Sequence, residues 1–195
     1  MNAGRTDVDA MAAAAREARR SGGAARGHVA VVLVGTSLVL AYATLAVVQI
    51  LVLNPLAAAP GRTLSQIHRD LEAADQSLSP VLALGIPALG VVLALVLGVV
   101  GMRSRTPVST LALGYLVLLA AGTPAYFAAS FGAGMSLADT YFIGGADHSP
   151  WSWPLHATSA AATVLVALAG AGRLLQLMLH APRAGDHTPG TPPPR

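Results

Sequence analysis

Residues 80–101 read PVLALGIPALGVVLALVLGVVG, without a charge or a strongly polar side chain. A helix in a soluble core keeps one wet face and so carries polar residues every three or four positions. This stretch has no such face. At about 1.5 Å per residue it covers the roughly 30 Å of a bilayer's hydrocarbon. It reads as a membrane span.

The composition agrees. Of 195 residues, 54% are hydrophobic and 11% charged, where soluble domains carry about 25% charged residues. Ser79-Pro80 opens the span, and Pro87 can kink it. Met102-Arg103-Ser104-Arg105-Thr106-Pro107 makes a tight basic turn behind it, with Thr106 as a cap and Pro107 at the first position of the next helix. A third span follows over residues 107–131, with Pro124 as a second kink and Gly132 and Gly134 as the expected stop.

On the other side, residues 28–53 form the first span. Ala57-Ala58-Ala59 resembles a cleavage site, but the apolar run exceeds the roughly 7–15 residues of a signal sequence, so the segment is expected to be retained. Asn54-Pro55 is expected to break the helix and Pro60-Gly61 to turn the chain. An amphipathic helix then runs from Arg62 to Leu78. Leu64, Ile67, Leu71, Ala74 and Leu78 share one stripe, and Thr63 with Gln66 fits a capping box. A fourth span over residues 155–179 begins behind Pro154.

The expected fold is therefore an all-α integral membrane protein, a bundle of four transmembrane helices with an extracytoplasmic amphipathic helix between spans one and two. Residues 28–180 form the membrane domain. Residues 1–27 form a cytoplasmic arm, with a short helix from Ala10 to about Arg20 ended by Ser21-Gly22-Gly23. Residues 181–195, rich in Pro, form a disordered cytoplasmic tail. Ten of the twelve Arg fall in the arm, the 102–107 turn, and the end of span four with the tail. The positive-inside rule then places both termini in the cytoplasm of a multi-pass cell-membrane protein.

Small residues suggest how the spans meet. Gly90, Ala94 and Gly98 recur every four positions, as do Ser159, Thr163 and Ala167. Such stripes let backbones approach closely, so spans two and four are expected to pack through them.

Composition also excludes chemistry. The chain has no Cys, which removes disulfides, thiolate metal sites and Cys nucleophiles. No span carries an acidic or basic residue away from its ends, whereas proton-coupled transport needs one at mid-membrane. The scattered Arg line no helix face, so no nucleic-acid partner is expected. No cofactor is expected either: His28 and His180 sit at span ends and read as interfacial anchors, outside the depth a haem would need.

Candidate chemistry gathers in one place. Seven of the nine aromatic residues lie between Tyr126 and Trp153, in a segment to His156 without Arg or Lys. The candidate outer-face cluster is Asp139, Asp147, His148, Trp151, Trp153 and His156. Its spacings match no metal or catalytic pattern, and a polar loop tip at the membrane edge accounts for them. A generic aromatic belt would serve every span, however, and this one serves only two. Residues 131–154 are therefore expected to form an ordered cap with a short helix near Leu137–Phe142, packed on the Arg62–Leu78 helix. Asp139 or Asp147 would meet Arg62 or Arg69, and both tryptophans would turn away from lipid.

The expected function is that of a non-enzymatic accessory or scaffold subunit, acting through its outer loops and intramembrane small-residue faces. Its partners would be the lipid bilayer and a membrane protein or further copies of itself. The alternatives are an oligomeric small permease or channel, and a membrane enzyme acting on a lipid at the outer leaflet.

Overall fold

The computed structural model describes residues 3–104 and 106–180, with side chains from residue 25 to 179 in that range. The expected tail at 181–195 lies outside the described residues. Every element among those residues is helical: α1 (Ala3–Val48), a π-helical turn (Gln49–Leu53), α2 (Asn54–Ala58), α3 (Leu64–Ala73), α4 (Pro80–Arg103), α5 (Val108–Ala120), α6 (Gly122–Tyr141), a 3-10 turn (Pro150–Ser152) and α7 (Trp153–His180). Four stretches, Ala25–Ala58, Pro80–Arg103, Val108–Tyr141 and Pro150–Leu179, are long and apolar enough to cross a membrane.

Consecutive spans run antiparallel. At one end His28 Nε2 lies 2.6 Å from the Thr106 carbonyl, joining the start of the first span to the turn before α5. At the other end the π turn meets the 3-10 turn, and α3 meets α6. Between them α1 packs on α4 and α5, α4 also packs on α6, and α7 packs on α5.

Tyr115 pins three of these helices. Its ring lies flat against Gly35 of α1, where any Cβ would collide with it. Its hydroxyl donates to the Ala94 carbonyl of α4 at 3.1 Å and lies 3.0 Å from Thr36 Oγ1. A Cβ at Gly98 would stand 2.9 Å from that hydroxyl and 3.0 Å from Val32. The small residues of α4 thus receive Tyr115 and α1, and the expected pairing with the fourth span does not form. Ala94 and Gly98 are buried, but Thr163 and Ala167 of α7 are exposed, and only Ser159 of that stripe is inside.

Prolines decide where the spans are interrupted. Pro55 cannot donate a backbone hydrogen bond, and in a regular α-helix its ring would strike the Leu51 carbonyl. The chain avoids this by widening: the Asn54 N–H bonds to the Gln49 carbonyl, closing a π turn. The break expected at Asn54-Pro55 is therefore a widening, and the helix stops only at Ala59, before Pro60.

Pro124 does break its span. Between α5 and α6 the Thr123 N–H would normally bond to the Leu119 carbonyl. Instead it bonds to Ser159 Oγ at 2.9 Å, and that hydroxyl donates to Leu119 O at 2.8 Å. A side chain of α7 thus stands inside the ladder of the third span, which is one of the recognised causes of a kink. Gly122 makes room, since a Cβ there would meet Tyr42 and Ser159 at 2.6 and 2.8 Å.

Two expected stops are overrun. The helix runs through Gly132 and Gly134 to Tyr141, because those glycines admit neighbours. A Cβ at Gly132 would lie 2.9 Å from Ser79 Oγ, and one at Gly134 would lie 3.2 Å from the Gly145 carbonyl. The short helix expected at Leu137–Phe142 is consequently the last turn of α6. Likewise α1 runs unbroken through Ser21-Gly22-Gly23; each Gly costs a helix only about 1 kcal/mol relative to Ala.

Gly98→Ala should lower thermal stability by an amount typical of overpacking, about 1–3 kcal/mol, whereas Gly90→Ala should be neutral or mildly stabilising, because nothing lies within 4 Å of its Cβ position. Chemical denaturation in detergent checks both. Equal effects would remove the Tyr115 pin from the account.

Candidate functional site

The end of the bundle that carries α3 is built in two layers. The lower layer is apolar: Ile67 and Leu71 of α3 are buried with Leu137 of α6, Ile50 of the π turn, and Leu155 of α7. Of the stripe read from sequence, Leu78 is buried beyond the end of the helix and Ala74 is exposed, while Ile67 and Leu71 form the packed face of α3. Its start carries the full capping box, with Thr63 N–H donating to Gln66 Oε1 at 2.7 Å and Gln66 N–H to Thr63 Oγ1 at 3.3 Å. Its end is shorter than expected, closing at Ala73 with Asp75 in the left-handed region.

The upper layer is polar and ties the loop at 142–149 to the π turn and α2, and the end of α6 to α3. Asn54 Oδ1 accepts the backbone N–H groups of His148 at 2.7 Å and of Ser149 at 3.3 Å. Gln49, fully buried, donates Nε2 to the Ser149 carbonyl at 3.4 Å. Ser149 in turn caps the 3-10 turn through Trp151 N–H. Tyr141 donates to Asp70 Oδ2 at 2.9 Å, and Arg62 lies 3.5 Å from the same atom. The Arg62–Asp70 pair is half exposed and contributes about 0–1 kcal/mol at most. The loop is therefore held by hydrogen bonds to buried or half-buried side chains.

Beside this loop a cleft of about 510 Å³ opens between α6, α7 and residues 145–147. Its polar members are Asn54, Thr123, Tyr126, Ser130, Asp147 and His156. Tyr126, almost wholly buried, donates its hydroxyl to Asp147 Oδ1 at 2.7 Å. His156 stands edge-on to the Tyr126 ring at 5.7 Å, with Nε2 3.8 Å from Asp147 Oδ2 and Nδ1 3.3 Å from Thr123 Oγ1. Phe127 and Phe131, with ring centroids 5.6 Å apart, form the apolar wall.

Of the residues singled out from sequence, the structure brings together Asp147 and His156 and sets the others apart. His148 turns back on its own loop, with Nε2 2.9 Å from the Gly144 carbonyl. Asp139 is exposed and lies outside the cleft lining, and the expected partners do not pair: Arg62, in the turn before α3, is engaged by Asp70 of α3, and Asp147 by Tyr126 and His156. Trp151 and Trp153 are 57% and 72% exposed, so the expectation that they turn inward is corrected. The cap is ordered through Asn54, Tyr141 and the apolar layer, while both indoles stay at the surface as a belt would place them.

Sequence reading missed Asn54, Thr123 and the role of Tyr126. Asn54 carried a signal, an amide beside a proline at the end of an apolar span, but it read as helix-breaking. Thr123 and Tyr126 precede the loop in α6, and across the cleft Thr123 meets His156 while Tyr126 meets Asp147.

Chemically, Thr123, His156 and Asp147 follow one another as hydroxyl, imidazole and carboxylate. A nucleophilic relay needs its base oriented by a hydrogen bond from the third group; the 3.8 Å separation is too long for one. Among the described residues no group of three or more His, Cys, Asp or Glu converges to hold a metal ion. No protein-family model, curated protein or solved structure matches this chain.

Asn54→Ala should leave two loop N–H groups without their acceptor. Faster hydrogen exchange at His148 and Ser149 is expected, with earlier proteolytic cutting near Gly144-Gly145 and little change in α4. Unaltered exchange at both amides would show that the loop is held by something else.

Proposed function

We propose that this chain is a multi-pass protein of the cell membrane with both termini in the cytoplasm, and that it acts as a non-enzymatic accessory subunit. In this reading α3 and the 142–149 loop face outward, and α7 holds a partner helix or a second copy. The orientation is supported by charge: Arg26, Arg103 and Arg173 lie at the end opposite α3, with the Arg-rich arm.

The observation that carries the subunit reading is the coverage of α7. Beyond Ala162, its inner half touches little of the chain. Val164, Leu168, Leu175 and Leu179 fall on one face at spacings near those of a coiled-coil seam, and each is more than half exposed. Around Gly170 and Gly172 there is open space, which permits close backbone approach. Lipid can cover such a face, but only a helix gains the close packing that small residues allow.

The permease alternative has less support. Ser159, its best polar residue, is committed to the backbone of the third span. A membrane enzyme acting on a lipid is favoured by one observation, the approach of His156 to Asp147, and weakened by their separation.

The Cys-free chain offers a direct test. Single cysteines at Gly145 and Ser104 should react oppositely with an impermeant maleimide applied to intact cells, Gly145→Cys labelling and Ser104→Cys not. Cysteines at Leu168 and Leu175 should form cross-linked species of higher mass in native membranes, while one at Val96 on α4 should not. Labelling of both loop positions would sink the orientation; uncrosslinked α7 would sink the subunit reading.

A further inference from the structure

We propose that the cleft between α6, α7 and the 142–149 loop binds an organic cation with an apolar tail. The Asp147 carboxylate takes the charge, and the wall of Phe127 and Phe131 takes the tail.

The size is right: about 510 Å³ falls within the roughly 300–1,000 Å³ of small-molecule sites. Its charge inventory is one-sided. Asp147 is the one acid lining it, no Arg or Lys lines it, and the chain from Tyr126 to His156 contains neither. A phosphate or carboxylate ligand would find no Arg or Lys there, only the His156 imidazole, which already faces Asp147. A cation finds a carboxylate already oriented, because Tyr126 holds Oδ1 at 2.7 Å. The other oxygen is paired only loosely, with His156 Nε2 at 3.8 Å, and the carboxylate side chain keeps 26% of its surface open.

The aromatic wall suits the same ligand. Phe127 and Phe131 tilt at 53° to one another, both more than half exposed. Ring faces attract a desolvated cation, quaternary ammonium above all, and also accept an alkyl chain. The loop that carries Asp147 is fixed by Asn54 on the next two residues, so binding need not order it first. A neutral donor would use the carboxylate but gain nothing from the missing cations. The cleft therefore selects on charge.

Such a cation has two sources, the ammonium headgroup of a membrane lipid or a free lipophilic cation, and one experiment separates them. The full-length protein in nanodiscs of digalactosyldiacylglycerol, an uncharged lipid without an ammonium group, is titrated calorimetrically with decyltrimethylammonium, with decyl sulfate and decyl maltoside as anionic and neutral counterparts and empty nanodiscs as the blank. Saturable binding heat above the empty-disc blank is expected from the cation alone. Asp147→Asn, which keeps an acceptor for Tyr126, should weaken binding about tenfold or more, Asp147→Glu should retain it, and Phe127→Ala should weaken it with the charge intact.

Weaker apparent binding in phosphatidylcholine nanodiscs would identify the lipid headgroup as the competitor. Equal binding there would identify the free cation. Titrations of wild type and Asp147→Asn that superimpose, or decyl sulfate binding as well as the cation, would overturn the proposal. Should Asp147→Asn fail to fold, loss in Phe127→Ala with retention in Asp147→Glu supports it, and no loss in Phe127→Ala overturns it.

Discussion

One hydroxyl holds the third and fourth spans in register. Ser159 of α7 stands between the Leu119 carbonyl and the Thr123 N–H, 2.8 Å from one and 2.9 Å from the other. In hydrocarbon an interrupted backbone has no water to turn to, and each unsatisfied group costs several kcal/mol. Pro124 interrupts the ladder inside a stretch long and apolar enough to cross a membrane, and a neighbouring helix supplies the repair. The repair requires α7 to approach closely, which is why Gly122 lies beneath Tyr42 and Ser159. The kink then sets the direction of α6, and α6 carries Phe127, Phe131 and Tyr126 to the cleft.

The same accounting explains the other end of the first span. Pro55 would clash with the turn before it, and the chain widens to a π turn rather than stopping. Gln49 and Asn54 fall at its two boundaries, with their amides directed at the 142–149 loop. A structural necessity of the proline therefore positions the two side chains that hold Asp147 in place. Backbone repair and site construction share the same residues, so substitutions at Asn54 or Ser159 should disturb the cleft and the fold together.

Much of this was legible in sequence. The four apolar stretches, the capping box at Thr63 and Gln66, and the buried stripe of Ile67 and Leu71 follow from local periodicity, and the structure shows each of them. What failed depended on distant partners. Gly132 and Gly134 read as stops because sequence does not display Ser79 and the Gly145 carbonyl, which occupy the space their missing Cβ atoms leave. The stripe of Gly90, Ala94 and Gly98 was legible as an interface, but its partner was not: Tyr115 and α1 meet Ala94 and Gly98, and the Cβ position of Gly90 stays open. Ser159 read as one small residue among several, although its hydroxyl is the group the Pro124 break requires. In the site, Asp147 and His156 were found by residue type, whereas Tyr126 and Thr123 came only with the path of α6.

Replacing Ser159 by alanine tests this dependence most directly. With the hydroxyl gone, Leu119 C=O and Thr123 N–H lose their common partner in a buried position, and unfolding free energy should fall by roughly 1–3 kcal/mol. The Thr123 amide should exchange faster, while Thr158→Ala, on the exposed face one residue away, should change neither quantity. Wild-type stability in Ser159→Ala, with an unchanged Thr123 amide, would contradict the account at its centre.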